Sequence, residues 1–382
     1  MSFRTTISWL LFPLTMWYAV GVAVRNFLFA TGLKRQEAPH ITTIGVGNLA
    51  TGGTGKTPHV EYLLELLSDR YRTAMLSRGY KRQSKGFVLD DGSHDAALLG
   101  DEPAMIAAKF PKVQVAVCEK RVEGVKRLIE RPESPEDPEA PELPEHPEPP
   151  EHPENPEPPE LIILDDVFQH RALKPSINLL LTEYRNPYYQ DHILPYGNLR
   201  EFRSARLRAG IVIVTKSPAK LNPIEKHNII HDLRLENYQK VFFSYLQYGD
   251  LTTLDGQPAG IDLRRMEQVL VVTGIANPEP MVEELRRRCK LQHLRFADHH
   301  EYTARDIDRI AEAFAALPAA NKVIVTTEKD AIRLRGLTRN LPIYILPVKV
   351  AFHPEGDMVF DKVILSAVQE NISFLSKLSI WS

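Results

Sequence analysis

The segment GNLATGGTGKT, Gly47–Thr57, constrains this chain more than any other. It follows the apolar run Ile41–Val46 and leads into PHVEYLLELL, whose apolar residues recur at helical spacing. A strand, a glycine-rich turn, Lys-Thr and a helix make the layout of a phosphate-binding loop. Small residues let successive backbone N–H groups curl around phosphate oxygens, and the helix N-terminus adds favourable partial charge. On that reading Ala50, Thr51, Gly52, Gly53, Thr54, Gly55, Lys56 and Thr57 bind a nucleoside triphosphate. Lys56 reaches the β- and γ-phosphates, and the Thr57 hydroxyl ligates Mg²⁺. The strict pattern has Gly where this chain has Ala50, but Gly52, Gly53 and Gly55 still supply the freedom the loop needs. The plainer alternative is an ordinary glycine-rich strand-to-helix turn.

Length and 43% hydrophobic content allow a large core and suggest two domains. Two cysteines, Cys118 and Cys289, make neither a disulfide framework nor a zinc site, which suits a reducing compartment. The net charge of −2 conceals an asymmetry. Residues 132–160 hold ten Glu and one Asp but no Lys or Arg, which leaves 47 basic against 38 acidic residues elsewhere, a net +9. A basic body suits an anionic partner: a phosphorylated lipid, a membrane surface or nucleic acid.

The N-terminus narrows that choice. No charge occurs from Thr5 to Val24, and Trp9, Phe12, Trp17, Tyr18, Phe27 and Phe29 make the run Ile7–Phe29 rich in aromatics. Its length, Pro13 and the lack of a small-residue cleavage site argue against a cleaved signal peptide. The run is about long enough to span a bilayer, and its Trp and Tyr equally suit a helix lying in the interface. A core helix of a soluble protein is the third possibility. Membrane association is favoured, and spanning versus lying on the surface stays open.

Between Arg131 and Leu161 runs PESPEDPEAPELPEHPEPPEHPENPEPPE, with Pro about every third residue and Glu beside it. Proline rings and mutually repelling carboxylates favour an extended, polyproline-II-like coil that cannot form a core. We read it as a disordered surface insertion. Elsewhere β-rich runs alternate with helical patterns: Ile41–Val46, Thr73–Ser77, Val113–Val117, Leu161–Leu164, Ile177–Leu181 and Ile211–Thr215, separated by helices such as Thr57–Ser68, Glu102–Lys109 and Glu119–Glu130. A second alternating set begins near residue 239. The expected architecture is α/β: a parallel-sheet lobe over 36–235 of the kind found in phosphate-loop NTPases, a smaller α/β lobe over 236–382, and an N-terminal hydrophobic helix over 1–35. The last helix, Lys362–Leu378, could return to the first lobe.

Four apolar residues, Leu161–Leu164, end in Asp165 and Asp166. Acid at the end of an apolar strand places a carboxylate beside the Mg²⁺ held by Thr57; two in a row, in a chain with a phosphate loop, strengthen the signal. Asp298-His299-His300 follows another apolar strand, and the paired His could serve as a metal site, a general acid/base or surface residues, zinc being the weakest of these. Gly100-Asp101-Glu102-Pro103 opens a helix, where two carboxylates taken alone read as N-terminal capping. Ser77–Arg82, SRGYKR, is a basic cluster at a strand end, either a solvated face or a phosphate contact.

The combination GNLATGGTGKTP, SRGYKR, GDEP, LDDVFQH, GNLRE, FADHHEY and TEKDAIRL, in that order, resembles the tetraacyldisaccharide 4′-kinase family, the lipid A 4′-kinases of Gram-negative bacteria. The resemblance covers nearly the whole chain except the proline–glutamate tract. It implies Mg²⁺-dependent transfer of the ATP γ-phosphoryl group to the 4′-hydroxyl of a tetraacyl disaccharide 1-phosphate. It also implies a second lobe closing over the cleft, and attachment to the lipids of the bacterial inner membrane at its cytoplasmic face. By motif match Asp101 becomes the general base, paired with His299, in place of the capping role. Asp166 and Asp165 hold or order the transferring phosphate and Mg²⁺, and Glu201 is a further acidic residue at the metal. A sugar hydroxyl is a weak nucleophile, so positioning and charge neutralisation dominate such a transfer. The competing class is a membrane-associated phosphate-loop NTPase of the regulatory or partitioning type, which leaves GDEP and FADHHEY unexplained. A nucleic-acid-dependent ATPase would rest on the basic body alone, with no recognisable binding module, so no nucleic-acid partner is expected.

Overall fold

The structure, a computed structural model, describes residues 3–130, 157–298, 300–338, 340–354 and 359–379, with the backbone alone for 3–12 and 378–379. Most of the proline–glutamate tract and His299 therefore lie outside the described residues.

The chain opens with helix α1 (Phe3–Ala30), then β1 (Thr42–Asn48), α2 (Lys56–Leu67), β2 (Thr73–Ser77), β3 (Val88–Leu89), α3 (Ala96–Leu99), α4 (Asp101–Lys109), β4 (Gln114–Val117) and α5 (Arg121–Ile129). Beyond the tract come β5 (Leu161–Asp165), β6 (Ile177–Glu183), β7 (Ile211–Thr215), α6 (Pro223–Leu233) and β8 (Lys240–Tyr248). Next are β9 (Gln268–Thr273), α7 (Glu279–Arg288), β10 (Leu291–Arg295), α8 (Ala304–Ala315), β11 (Lys322–Thr326), α9 (Glu328–Leu334), β12 (Ile343–Ile345), β13 (Val348–Phe352) and α10 (Phe360–Ser379).

Two sheets result. The larger has the order β13-β8-β7-β6-β1-β5-β2-β4-β3, and the smaller the order β10-β9-β11-β12. Every pairing is parallel except the two outermost of the large sheet, β13 with β8 and β3 with β4. β1 is buried along its whole length, as expected of a strand with parallel neighbours on both edges. Ile44 and Val46 pack on one face with Val60, Leu63 and Leu64 of α2, Ile106 of α4 and Ile364 and Val368 of α10. On the opposite face, α5 covers Ala74, Leu76 and Ala116, while α6 covers Val212, Val214 and Phe243. The small sheet is a sandwich of its own, with Met281, Val282 and Leu285 of α7 on one side and Ile307 and Ile310 of α8 on the other.

β8, which the sequence pattern grouped with the second lobe, lies in register with β7 as a strand of the large sheet. β13 then pairs antiparallel with β8. The small sheet is thus built from a segment inserted between two adjacent strands of the large one. α10 closes the large sheet: Phe360 stacks on Phe352 of β13 at 3.9 Å between ring centroids and meets Phe242 of β8 edge-on at 5.1 Å. The Tyr62 hydroxyl of α2 donates to Asp361 at 2.6 Å.

No helix among the described residues is long and apolar enough to cross a membrane. α1 contains Pro13 and leaves Trp17, Val20, Val24 and Phe27 exposed, Trp17 at 78% and Phe27 at 62%. These four recur at i, i+3, i+7 and i+10, so they share one stripe of the helix. The other side docks on the large lobe, where the Tyr18 hydroxyl donates to the Arg200 carbonyl at 3.0 Å and Arg25 pairs with Glu201 at 2.6 Å.

If the returning helix is integral to the large lobe, Phe360→Ala leaves a cavity amid Phe242, Phe352 and Tyr62 and should cost about 3–5 kcal/mol of unfolding free energy. Urea denaturation measures this; a loss under about 1 kcal/mol would mean that α10 merely rests on the surface.

Candidate active site

The glycine-rich loop sits at the carboxyl end of β1, with β5 on one side and β6 on the other. Such a crevice, where neighbouring connections leave in opposite directions, is where open parallel sheets bind ligands. Gly55 takes φ 87°, a left-handed conformation that starts α2 without strain only because it is glycine. Gly47 serves a different need: a Cβ there would lie 2.6 Å from the Phe168 Cβ, so its absence lets the turn after β5 press against the base of the loop.

The loop is tied down on every side. Asn48 Nδ2 donates to Thr54 Oγ1 at 2.9 Å, and the Thr215 hydroxyl donates to the Thr54 carbonyl at 2.8 Å. Lys216 Nζ, paired with Glu183 at 2.9 Å, donates to the Gly53 carbonyl. The GNLRE segment runs alongside: Thr51 N–H donates to Asn198 O at 2.8 Å, and Arg200 N–H to Leu49 O at 2.7 Å. His59, buried in α2, has Nδ1 at 2.7 Å from the Gly55 carbonyl and Nε2 at 2.9 Å from the Ser244 hydroxyl. A carbonyl only accepts, so Nδ1 carries the proton and Nε2 accepts from Ser244. Burial pushes this imidazole down to about 4, so it is neutral near pH 7.

The two aspartates at the end of β5 diverge. Asp166 takes φ 46° and turns to the cations. Arg200 grips it with two nitrogens at 3.2 and 3.0 Å, and Lys56 Nζ stands 3.5 Å away. Burial works to raise Asp166, but the Arg200 hydrogen bond and the charges of Lys56 and Arg200 prevail and hold it at about 2. Asp165 points inward. Burial, reinforced by the charges of Glu102 and Asp166, raises it to about 6. Ser77 donates to its Oδ2 at 3.1 Å, while its buried Oδ1 makes no hydrogen bond.

Helix α4 brings its first turn to the loop. Thr57 Oγ1 donates to Glu102 Oε2 at 2.7 Å, and Lys329 of α9 pairs with the other Glu102 oxygen. Burial favours a protonated Glu102, but Lys329, Thr57 and Lys56 outweigh it and keep the carboxylate below its ordinary range. Asp101 faces the small lobe, where Arg333 of α9 pairs with it, Nε at 3.2 Å. Both carboxylates stand in the first turn of α4, whose N-cap residue is Gly100.

The sequence-derived residues therefore fall into three groups. Residues 50–57, Asp165 and Asp166 converge at the end of β1 and β5, and Thr57 draws α4, with Asp101, to them. Glu201 stands apart: it is fully buried, with one oxygen 2.6 Å from Arg25 and the other 2.9 Å from Arg208. His299 lies outside the described residues; its neighbour His300 is held 3.1 Å from Asp306 and stacks on Phe296. Sequence reasoning took Glu102 for a helix cap and missed Arg200, Lys216, Asn48 and His59 as contacts of the loop. Arg200 had a signal, being inside GNLRE, whereas nothing local marks Lys216 or His59.

A cavity of about 330 Å³ opens on the flank of the loop away from β5, between residues 49–54 and Glu183, Asn186, Tyr188, Asp191 and Asn198. Among the described residues no three His, Cys, Asp or Glu side chains group as a protein-only metal cage.

A family model described as Tetraacyldisaccharide-1-P 4′-kinase matches residues 7–369. The tetraacyldisaccharide 4′-kinase of Bacteroides fragilis (strain YCH46) is 40% identical over 373 residues, covering 94% of this chain and 93% of its own length. That of Phocaeicola vulgatus is 38% identical over 370 residues, covering 94% and 95%. Among solved structures, the crystal structure of LpxK from Aquifex aeolicus in complex with ATP is similar at a TM-score of 0.70 and 27% identity, over 95% of this chain and 99% of that one.

The buried neutral His59 gives a pH test of the loop's anchorage. Its folded value lies below its unfolded one, so the unfolded chain takes up the proton first and stability falls as pH drops from the unfolded value, about 6.5, towards 4. Between pH 7 and pH 5 the wild type should lose about 2 kcal/mol more than His59→Gln. Equal losses in urea titrations of the two proteins would contradict the neutral, doubly bonded imidazole.

Proposed function

The chain belongs to the tetraacyldisaccharide-1-P 4′-kinase family, and from that premise we propose that it transfers the γ-phosphoryl group of ATP to the 4′-hydroxyl of a tetraacyl disaccharide 1-phosphate. The observation that carries this reading is the 2.7 Å hydrogen bond from Thr57 to Glu102, because it seats the GDEP turn, with Asp101, against the phosphate loop. A regulatory or partitioning NTPase has no use for carboxylates set beside the loop and gripped by cations of a second lobe.

The backbone of residues 50–57 is suited to cradle the triphosphate, with Lys56 at the β- and γ-phosphates and the flanking cavity for the nucleoside. Mg²⁺ usually keeps several waters and takes one or two carboxylates in addition to substrate phosphates. The Thr57 hydroxyl and the unpartnered buried Oδ1 of Asp165 fit that modest demand. When bound, the ion neutralises charge on the phosphates. Asp166 pairs with both Lys56 and Arg200, which supports a role in ordering these two cations at the transferring phosphate. Asp101 is the proposed proton acceptor for the sugar hydroxyl, its carboxylate oriented by Arg333, with His299 as its proposed partner. Glu201 has both oxygens at arginines, which supports an anchoring role between α1 and the GNLRE segment rather than metal ligation.

The acceptor is an amphiphile, and α1 offers it a matching surface. The stripe Trp17, Val20, Val24 and Phe27 suits the interface of the inner membrane at its cytoplasmic face, with the helix lying along the bilayer. Acyl chains would then stay in the lipid while the head group enters the cleft.

ATP turnover by the purified protein, measured with and without a lipid disaccharide acceptor, tests the proposal. Turnover should depend on the acceptor and yield the 4′-phosphate; acceptor-independent hydrolysis at the same rate would overturn it. Lys56→Ala should reduce transfer by about 10²–10³-fold, the usual cost of removing a charge-stabilising donor. The double variant Trp17→Glu/Phe27→Glu should lose binding to anionic vesicles in sedimentation while ATP binding persists; undiminished vesicle binding would place the membrane contact elsewhere.

A further inference from the structure

Three side chains of α9, on the small lobe, form ion pairs with α4 on the large one. Glu328 meets Lys109 at 3.2 Å, Arg333 meets Asp101, and Lys329 meets Glu102. The Lys329 contact continues into the phosphate loop, because the second oxygen of Glu102 accepts the Thr57 hydroxyl proton. Lys329 and Glu102 side chains are each about one-third exposed, so the pair by itself adds little stability. Its effect is geometric.

A threonine hydroxyl has one proton and two lone pairs, and it ligates a cation only through a lone pair. With its proton committed to Glu102, the Thr57 rotor is fixed and its lone pairs face away from that carboxylate. Lys329, bonded to the other oxygen, holds Glu102 in this pose. Without it the carboxylate is free to rotate, and the hydroxyl loses its fixed acceptor. Groups one step behind a metal ligand commonly set its orientation in this way.

We propose that Lys329 is a positioning residue, carried by the small lobe, that orients the metal-binding hydroxyl of Thr57 through Glu102. The proposal rests on the reading of Thr57 as a cation ligand. It makes metal recognition at the large lobe depend on where the small lobe stands, since withdrawing α9 removes the cation that holds Glu102.

The test compares the affinity of a fluorescent, non-hydrolysable ATP analogue in excess EDTA and in saturating Mg²⁺, using the full-length protein. The ratio of the two affinities is the magnesium enhancement. Lys329→Met should cut that enhancement about 10-fold or more, the usual cost of losing a partner of a metal ligand, while leaving the affinity in EDTA unchanged. Lys329→Arg, which keeps the cation, should retain most of the enhancement. Glu102→Ala should match Lys329→Met, and the double variant should be no worse than the worse single one, because both act on the same hydroxyl. Unchanged EDTA affinity also reports an intact fold; if Lys329→Met does not fold, Lys329→Gln is measured in its place. Should Lys329→Met keep the full enhancement while Thr57→Ala loses it, the relay is refuted and the metal role of Thr57 survives. Should Thr57→Ala also keep it, the metal role itself fails, and the relay with it.

Discussion

Strand β1 is flanked by parallel strands on both edges and covered by α2 and α10 on one face, and the site depends on that confinement. A strand so enclosed cannot shift, so the loop at its carboxyl end emerges at a defined point. The same confinement forces small residues: Gly47 exists because the turn after β5 comes too close for any side chain. That close approach places Asp165 and Asp166 beside Lys56. The fold thus converts apolar packing, which has no direction, into a directed set of polar groups.

Adjacent carboxylates at one strand end acquire opposite characters from their surroundings. Asp165 follows the strand inward and is raised to about 6, whereas Asp166 swings out through a left-handed backbone to two cations and falls to about 2. Two neighbouring residues of identical chemistry thus sit in different surroundings, one buried beside other carboxylates and the other held between cations. Lys56 and Arg200 are correspondingly restrained by Asp166, so the proposed phosphoryl transfer would ask little reorganisation of them.

The insertion of the small lobe between β8 and β13 gives it two strands of the large sheet as its root. From that root α9 reaches across to α4, and the charges Glu328, Lys329 and Arg333 meet Lys109, Glu102 and Asp101 in turn. His59 links the loop to the same root, bonding Gly55 on one side and Ser244 of β8 on the other. The phosphate loop is therefore coupled to the small lobe both from beneath, through β8, and from the side, through α4.

Much of this was legible in the chain because the responsible interactions are local. A glycine-rich turn followed by Lys-Thr and a helix, four apolar residues ending in Asp-Asp, and the alternation of β and helical periods each lie within a few residues, and period and turn chemistry report on such spans directly. The loop, its neighbouring acid pair and the α/β class follow from them. Other features required the folded chain. β8 reads as the first strand of the second lobe because its own pattern is silent about which sheet it joins, and only pairing with β7 decides it. Taken without the family resemblance, Asp101 and Glu102 read as helix caps because a charge at a helix start has that local use, yet their partners Arg333 and Thr57 lie 232 and 45 residues away. An ion pair leaves no periodic trace in a sequence, since any carboxylate can meet any cation that the backbone brings near. The sequence by itself determined the glycine-rich loop, the helix that follows it and the strands that carry it. The tertiary structure alone decided which charges face that loop, because their meeting depends on how two lobes are set against each other and not on any neighbouring residue.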